Sequence, residues 1–207
     1  VTQRIAKVLE QEIYPMADFL MDLHGGDVNE KATPFVYFPY ETEEAVRDQA
    51  RGGAASLSLP YRVRSSAKNG FYSWAAQCGI PALLLERGGQ GMWSEWEIEA
   101  YKENVLELMA YLKMTEMKKN VPEEQEEISQ SYYLEAPERG FWYPAVREAG
   151  QIIKKGELLG QLKSMDGTLI ASYYAEVKGV ILYYTVSLGI QMGDPLIAYG
   201  SLESGLV

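Results

Sequence analysis

The 207 residues predict an α/β layered domain followed by an all-β module. Helical three-and-four spacing alternates with short apolar runs through the first 115 residues, which is the signature of helices layered on a sheet. A charged, proline-bearing stretch over 116–131 then breaks both periods, as a solvated linker does. From 132 onward only short β-prone stretches remain, separated by glycine turns. The expected organisation is therefore a domain over 1–115, an acidic linker over 116–131 and a module over 132–207.

Residues 2–16 read as a helix, with Ile5, Val8, Leu9, Glu12 and Ile13 on one repeat, Thr2 as N-cap and Pro15 closing it. A strand over 18–23 follows, and Phe35-Val36-Tyr37-Phe38 reads as a second. Thr42 is expected to open a helix carrying Glu43 and Glu44 in its first turn. Arg62 and Arg64, in the run Tyr61-Arg62-Val63-Arg64-Ser65, fall on a third strand and are assigned to its opposite faces. Asn69-Gly70 marks a turn before a short helix over 71–77. Residues 80–85 are almost wholly apolar, which fits a strand buried on both faces. That strand is expected to stop at Glu86, with Arg87-Gly88-Gly89-Gln90-Gly91 as a glycine-rich loop. A long helix over 94–113 should turn Ile98, Val105, Leu108, Met109 and Leu112 inward.

The later β-prone stretches lie at 140–143, 158–162, 169–174, 179–186 and 196–199. Within them Ile153-Lys154-Lys155-Gly156-Glu157 and Ile190-Gln191-Met192-Gly193-Asp194 share the form Ile-x-x-Gly-acid, each followed within three residues by Leu. Two such halves point to a small pseudo-symmetric β-barrel or flattened sandwich.

Composition narrows the function classes. Nineteen basic against 29 acidic residues give a net charge of −10, which argues against nucleic acid and anionic membrane surfaces as partners. No stretch approaches the roughly 20 apolar residues of a membrane span. Cys78 is the only cysteine, so no internal disulfide exists and a reducing cytoplasm is the expected compartment. Gly88-Gly89-Gln90-Gly91 lacks the Gly-Lys-Ser/Thr ending of a phosphate-binding loop.

The candidate site residues stand where apolar strands give way to glycines. His24, the only histidine, lies in Asp22-Leu23-His24-Gly25-Gly26-Asp27, and an imidazole there suits a metal with Asp22 orienting it from behind. Glu86 ends the apolar strand, where desolvation raises a carboxylate's proton affinity and suits it to general-base work. The glycines after both residues are expected to let a substrate approach the backbone. Asp27 is a further polar candidate, and Arg62 or Arg64 is placed to grip a substrate carboxylate. Spacing alone leaves open a purely structural role for each: a capping Asp22, a satisfied His24, a Glu86 paired with arginine. Trp93 and Trp96 read as packing or lid residues.

Taken together, Asp22-Leu23-His24-Gly25-Gly26-Asp27, Pro34-Phe35 and Gly79-Ile80-Pro81-Ala82-Leu83-Leu84-Leu85-Glu86 with Gly88-Gly89 resemble the succinylglutamate desuccinylase/aspartoacylase family. This is a branch of the zinc carboxypeptidase-like amidohydrolases. The resemblance covers nearly the whole chain. It implies a partial zinc-carboxypeptidase-like α/β/α domain with a C-terminal all-β barrel-sandwich, lipoyl-like module. It also implies that His24 is the last of three zinc (Zn) ligands and Glu86 the general base and acid. Zinc-activated water would then attack the acyl amide of a small N-acyl amino acid.

The family's His-x-x-Glu motif, which holds the first two ligands, has no match here, nor has its Asn-Arg substrate-binding pair. Val1 falls at the helix before the Asp-Leu-His strand, so much of one layer is expected to lie upstream. His24 with Asp27 or Glu30 would hold zinc weakly, since catalytic sites use three protein ligands. The polypeptide alone is thus expected to be inactive, and a catalytically dead interaction or scaffold protein is the competing class. A missing layer would bare the apolar strand over 80–85, so self-association as a homo-oligomer is expected. A lipoyl or biotinyl carrier is a second reading of the module, against which stands its hairpin tip, Ser164-Met165-Asp166-Gly167, where a modifiable lysine should sit and the nearest is Lys163.

Overall fold

The computed structural model describes residues 1–116 and 125–202. The chain forms two compact units that interleave in sequence. The first comprises Val1–His24, Phe35–Leu85 and Glu95–Glu127; the second comprises Gly25–Pro34, Glu86–Ser94 and Ile128–Val207. Two short segments of the N-terminal half thus belong with the later module. A division at a single linker describes the composition of the chain, not its folded units. Residues 117–124 of that expected linker lie outside the described residues.

The first unit opens with α1 (Thr2–Glu12), capped at Val1 with Thr2 already inside the helix, and a 3-10 turn at Tyr14–Met16. Strand β1 (Leu20–Gly25) follows, then β2 (Glu30–Pro39) and α2 (Glu44–Ala55). Thr42 does not cap α2: its hydroxyl donates instead to the Ala76 carbonyl at 2.8 Å, and Glu43 is the N-cap residue. Strand β3 (Tyr61–Ser65), α3 (Phe71–Gln77), β4 (Ala82–Gly89), α4 (Glu95–Tyr111) and β5 (Glu126–Ile128) complete the series. The strand order is β1-β4-β2-β3-β5, with β2 and β3 parallel.

Strand β4 shows why residues 80–85 are apolar throughout. Leu83 and Leu85 enter one cluster with Val36, Phe38, Leu57 and Leu108, while Ala82 and Leu84 enter another with Tyr14, Leu20 and Tyr72. Alternate side chains serve opposite faces, and both faces are covered. The expected bare strand is therefore absent, and with it the ground for expecting self-association there.

Helix α4 departs from expectation in what it buries. Leu108 is buried, but so are Asn104 and Glu107, while Ile98 and Leu112 are exposed. The Glu107 carboxylate accepts from the Ser58 backbone N–H at 2.8 Å and from Asn104 Nδ2 at 2.9 Å. Hydrogen bonding to a peptide N–H makes a buried carboxylate tolerable on the inner side of the helix. The apolar residues Ile98, Val105 and Leu106 instead line a shallow groove with Leu23 and Tyr101.

The second unit is antiparallel. Strands β6 (Ser131–Glu135), β7 (Gly140–Pro144), β8 (Ile152–Ile153) and β9 (Leu158–Lys163) are followed by β10 (Leu169–Tyr174), β11 (Gly179–Thr185), β12 (Gly189–Ile190) and β13 (Pro195–Ser201). One sheet pairs β11 with β8, β13 and residues 30–32 of β2, and β13 with β6. The other runs β10-β9-β7-β12. Trp142, Leu159 and Leu162 from the latter pack with Ile181, Ile197 and Tyr199 from the former in one apolar cluster.

The sequence near-repeat is a structural one. Ile153 and Ile190 are buried, and Gly156 and Gly193 take φ of +79° and +84°, a conformation glycine adopts at little cost. Each acid then caps its own turn: Glu157 accepts from the Lys154 N–H at 2.9 Å and Asp194 from the Gln191 N–H at 2.8 Å.

Candidate functional site

Within the first unit, β1 delivers Asp22 and His24 to one face, as residues two apart on a strand must be. His24 Nε2 lies 3.2 Å from Asp22 Oδ1, with the imidazole half exposed and the carboxylate largely covered. The Tyr101 hydroxyl, from α4, donates to the His24 carbonyl. Tyr101 was not legible beforehand, since one tyrosine among fifteen carries no distinguishing signal.

Glu86 belongs to the second unit and sits partly buried on β4. The strand does not stop there: it continues through Arg87 and Gly88 to Gly89. The glycines serve the chain's own backbone. A Cβ on Gly26 would come within 2.8 Å of the Gly88 carbonyl oxygen, and one on Gly89, at φ +143°, would overlap the Glu30 carbonyl. Close backbone packing is what Gly26 and Gly89 require.

Three acids and a tyrosine share an electrostatic neighbourhood in this unit. Burial, with the charges of Asp27 and Glu86 adding to it, raises the proton affinity of Glu30 against a weaker opposing bond from the Asp27 N–H. Burial also pushes the Tyr183 phenol far up, helped by Tyr133, Glu30 and Glu86. Asp27 is a turn residue: its carboxylate accepts from the Val28 N–H at 2.6 Å, and its carbonyl accepts from the Gln90 N–H at 2.9 Å.

Arg62 and Arg64 lie on the same face of β3, correcting the opposite-face expectation; side chains alternate, so positions two apart coincide. Both grip a carboxylate of the protein itself. Arg62 Nε donates to Glu127 Oε2 at 2.9 Å, Arg64 Nε to Oε1 at 2.8 Å, and Arg51 Nε to Oε2 at 2.8 Å. Glu127 falls in the expected solvated linker yet is only 10% exposed in its side chain. Trp93 and Trp96 are exposed and do not serve as packing residues.

No cluster of three or more His, Cys, Asp or Glu side chains suited to a metal ion occurs among the described residues. The Asp22–His24 pair contributes one imidazole where a catalytic zinc needs three protein ligands, so these residues do not by themselves fit the ion.

The order of helices and strands has close parallels among solved structures. The product-bound ectoine utilization protein EutE (DoeB) from Ruegeria pomeroyi superposes with a TM-score of 0.84 at 21% identity, over 97% of this chain and 63% of that one. A succinylglutamate desuccinylase/aspartoacylase from Rhodobacter sphaeroides gives 0.82 at 21%, over 96% and 63%. The N-alpha-acetyl-L-2,4-diaminobutyric acid deacetylase of Halomonas elongata is 20% identical over 219 residues, all of this chain and 63% of the relative. The chain thus spans under two thirds of the length of these relatives. Residues 1–112 match the succinylglutamate desuccinylase/aspartoacylase catalytic domain. The chain belongs to the succinylglutamate desuccinylase/aspartoacylase family.

Proposed function

We propose that this chain is part of a zinc-dependent deacylase that hydrolyses the acyl amide of a small N-acyl amino acid. The observation that carries the reading is Glu86, at the point where the doubly buried part of β4 ends, inside a chain whose catalytic-domain match spans residues 1–112. The acetyl-diaminobutyrate deacetylase of Halomonas elongata supports an N-acyl amino acid as the substrate class.

In this reading Glu86 takes a proton from the attacking water and hands it to the departing amine. His24 is a zinc ligand, Asp22 holds its imidazole, and Asp27 stands near the substrate. Arg62 and Arg64 remain substrate-carboxylate candidates wherever Glu127 yields them. We read the module over residues 132–207 as a barrel-sandwich of lipoyl-like type with a structural role. Because the described residues do not complete a zinc site, the 207-residue polypeptide by itself is proposed to turn over nothing.

The test measures amine release from N-acetyl-2,4-diaminobutyrate and N-succinylglutamate, with and without added zinc, beside elemental analysis. No turnover and substoichiometric zinc are expected for the chain alone. One firmly held zinc per chain would sink the incomplete-site reading. Amine release by the chain would overturn the proposed inactivity, and a rate then unchanged in Glu86→Gln would remove Glu86 from the chemistry.

A further inference from the structure

We propose that Arg51, Arg62 and Arg64 form a binding pocket for a multiply charged oxyanion, carboxylate or phosphate, in which Glu127 is the resident stand-in. Three guanidinium groups from α2 and β3 converge on the two oxygens of one carboxylate. Arginine keeps its charge at any physiological pH, so these four side chains carry two positive charges in excess. That excess stands out in a chain of net charge −10.

The groups are also held in place. The Arg64 guanidinium lies 4.4 Å from the Tyr40 ring centroid, and Arg62 Nη1 donates to Gln125 Oε1 at 2.7 Å. Gln125 is tied in turn by Nε2 to the Ala54 and Leu57 carbonyls. Arg47, on the other side of Tyr40, has its own acids in Glu44 and Asp48 and is not part of the excess. Planar, oriented guanidinium forks match the oxygen spacing of carboxylate and phosphate. Arg62 and Arg64 are largely covered while Arg51 is half exposed, which leaves an approach from solvent on the Arg51 side.

The two oxygens of Glu127 can accept all three donors. Its single charge nonetheless leaves the cluster cationic, a site that an anion of higher charge than Glu127 can enter.

The experiment follows the Arg Nε–Hε signals by NMR while inorganic phosphate or citrate is added at constant ionic strength, with chloride as the monovalent control. The wild type is expected to show saturable shifts at the three arginines. Glu127→Gln, which keeps the shape and removes the competing charge, is expected to bind about tenfold tighter. The Arg62→Gln/Arg64→Gln double substitution is expected to abolish the response. Saturable binding of citrate but not phosphate would assign the site to carboxylates, and the converse to phosphates. Shifts no larger than those from chloride in the wild type would overturn the proposal, whether or not either variant folds.

Discussion

Asp22 Oδ1 stands 3.2 Å from His24 Nε2, so Nε2 is the ring nitrogen the carboxylate meets. A carboxylate there favours the tautomer with its proton on Nε2 and holds the ring plane. We expect the Hε2 proton of His24 to be detectable by NMR in the wild type and lost to solvent exchange in Asp22→Ala. An identical signal in both proteins would mean that Asp22 does not orient the ring.

Glu127 ties acid stability to one carboxylate. Burial pushes its proton affinity up, but the hydrogen bonds from Arg51, Arg62 and Arg64 outweigh it and hold the carboxyl below the usual range. An acid whose folded value is depressed stabilises the fold above its unfolded value, near 4.3, and loses that stabilisation as pH falls through the folded value. Glu127→Gln is therefore expected to cost about 1–3 kcal/mol at pH 7 and progressively less below pH 4. Urea unfolding across pH reads this directly. A pH-independent difference would show that the lost contacts are not charge-assisted.

Glu30 should behave with the opposite sign. Its proton affinity is raised by burial and by the nearby charges of Asp27 and Glu86, with Tyr183 packed in the same neighbourhood. A raised acid contributes stability below its unfolded value and loses it as pH rises through the folded one. Glu30→Gln is expected to raise the melting temperature at pH 7, with the gain vanishing below about pH 4. A lower melting temperature at pH 7 would show that Glu30 accepts hydrogen bonds worth more than its burial costs.

What could be read in advance, and what could not, follows from the kind of signal each residue gives. The doubly buried strand and the Ile-x-x-Gly-acid repeat were visible because several residues had to agree at once: Ala82 to Leu85 on two faces, Ile153 and Ile190 before matching turns. The continuation of β4 past Glu86 was hidden because Gly88 and Gly89 read as breakers, while the absent side chain of Gly89 serves a close approach to the Glu30 backbone. The inner face of α4 was misread because Glu107 is polar, and its partners, Ser58 and Asn104, include one from far away in sequence. For the same reason Glu127 looked like its acidic neighbours: nothing local marks the one carboxylate that three arginines will meet. The Asp22–His24 pair, by contrast, is a local relationship two residues apart, and it was legible.

Glu107 gives a test of how much a buried polar tether holds α4. The residue is 1% exposed, and one carboxylate oxygen accepts two hydrogen bonds while no partner is found for Oε1 among the described residues. Glu107→Ala would strand the Ser58 N–H, take one of its acceptors from the Asn104 amide, which keeps Ser58 Oγ at 3.3 Å, and open a cavity, and about 2–4 kcal/mol of destabilisation is expected. Glu107→Gln should cost less, because its carbonyl oxygen can still accept from Ser58. Equal losses in the two variants by denaturant unfolding would mean that the charge, not the bond to Ser58, carries the interaction.

Gly160 and Trp142 are diagonal neighbours on the paired strands β9 and β7, and a Cβ at 160 would overlap the indole ring. Trp142 is fully buried and its indole N–H donates to the Thr185 carbonyl at 3.1 Å, so the ring cannot retreat without breaking that bond. Overpacking a site that cannot relax typically costs about 1–3 kcal/mol. Gly160→Ala is accordingly expected to destabilise the second unit by that amount and to shift the Trp142 fluorescence, whereas Gly189→Ala, with open space around its Cβ position, should leave the emission unchanged. If the two alanines behave alike, the indole has room to move and the tight fit against Gly160 does not anchor this core.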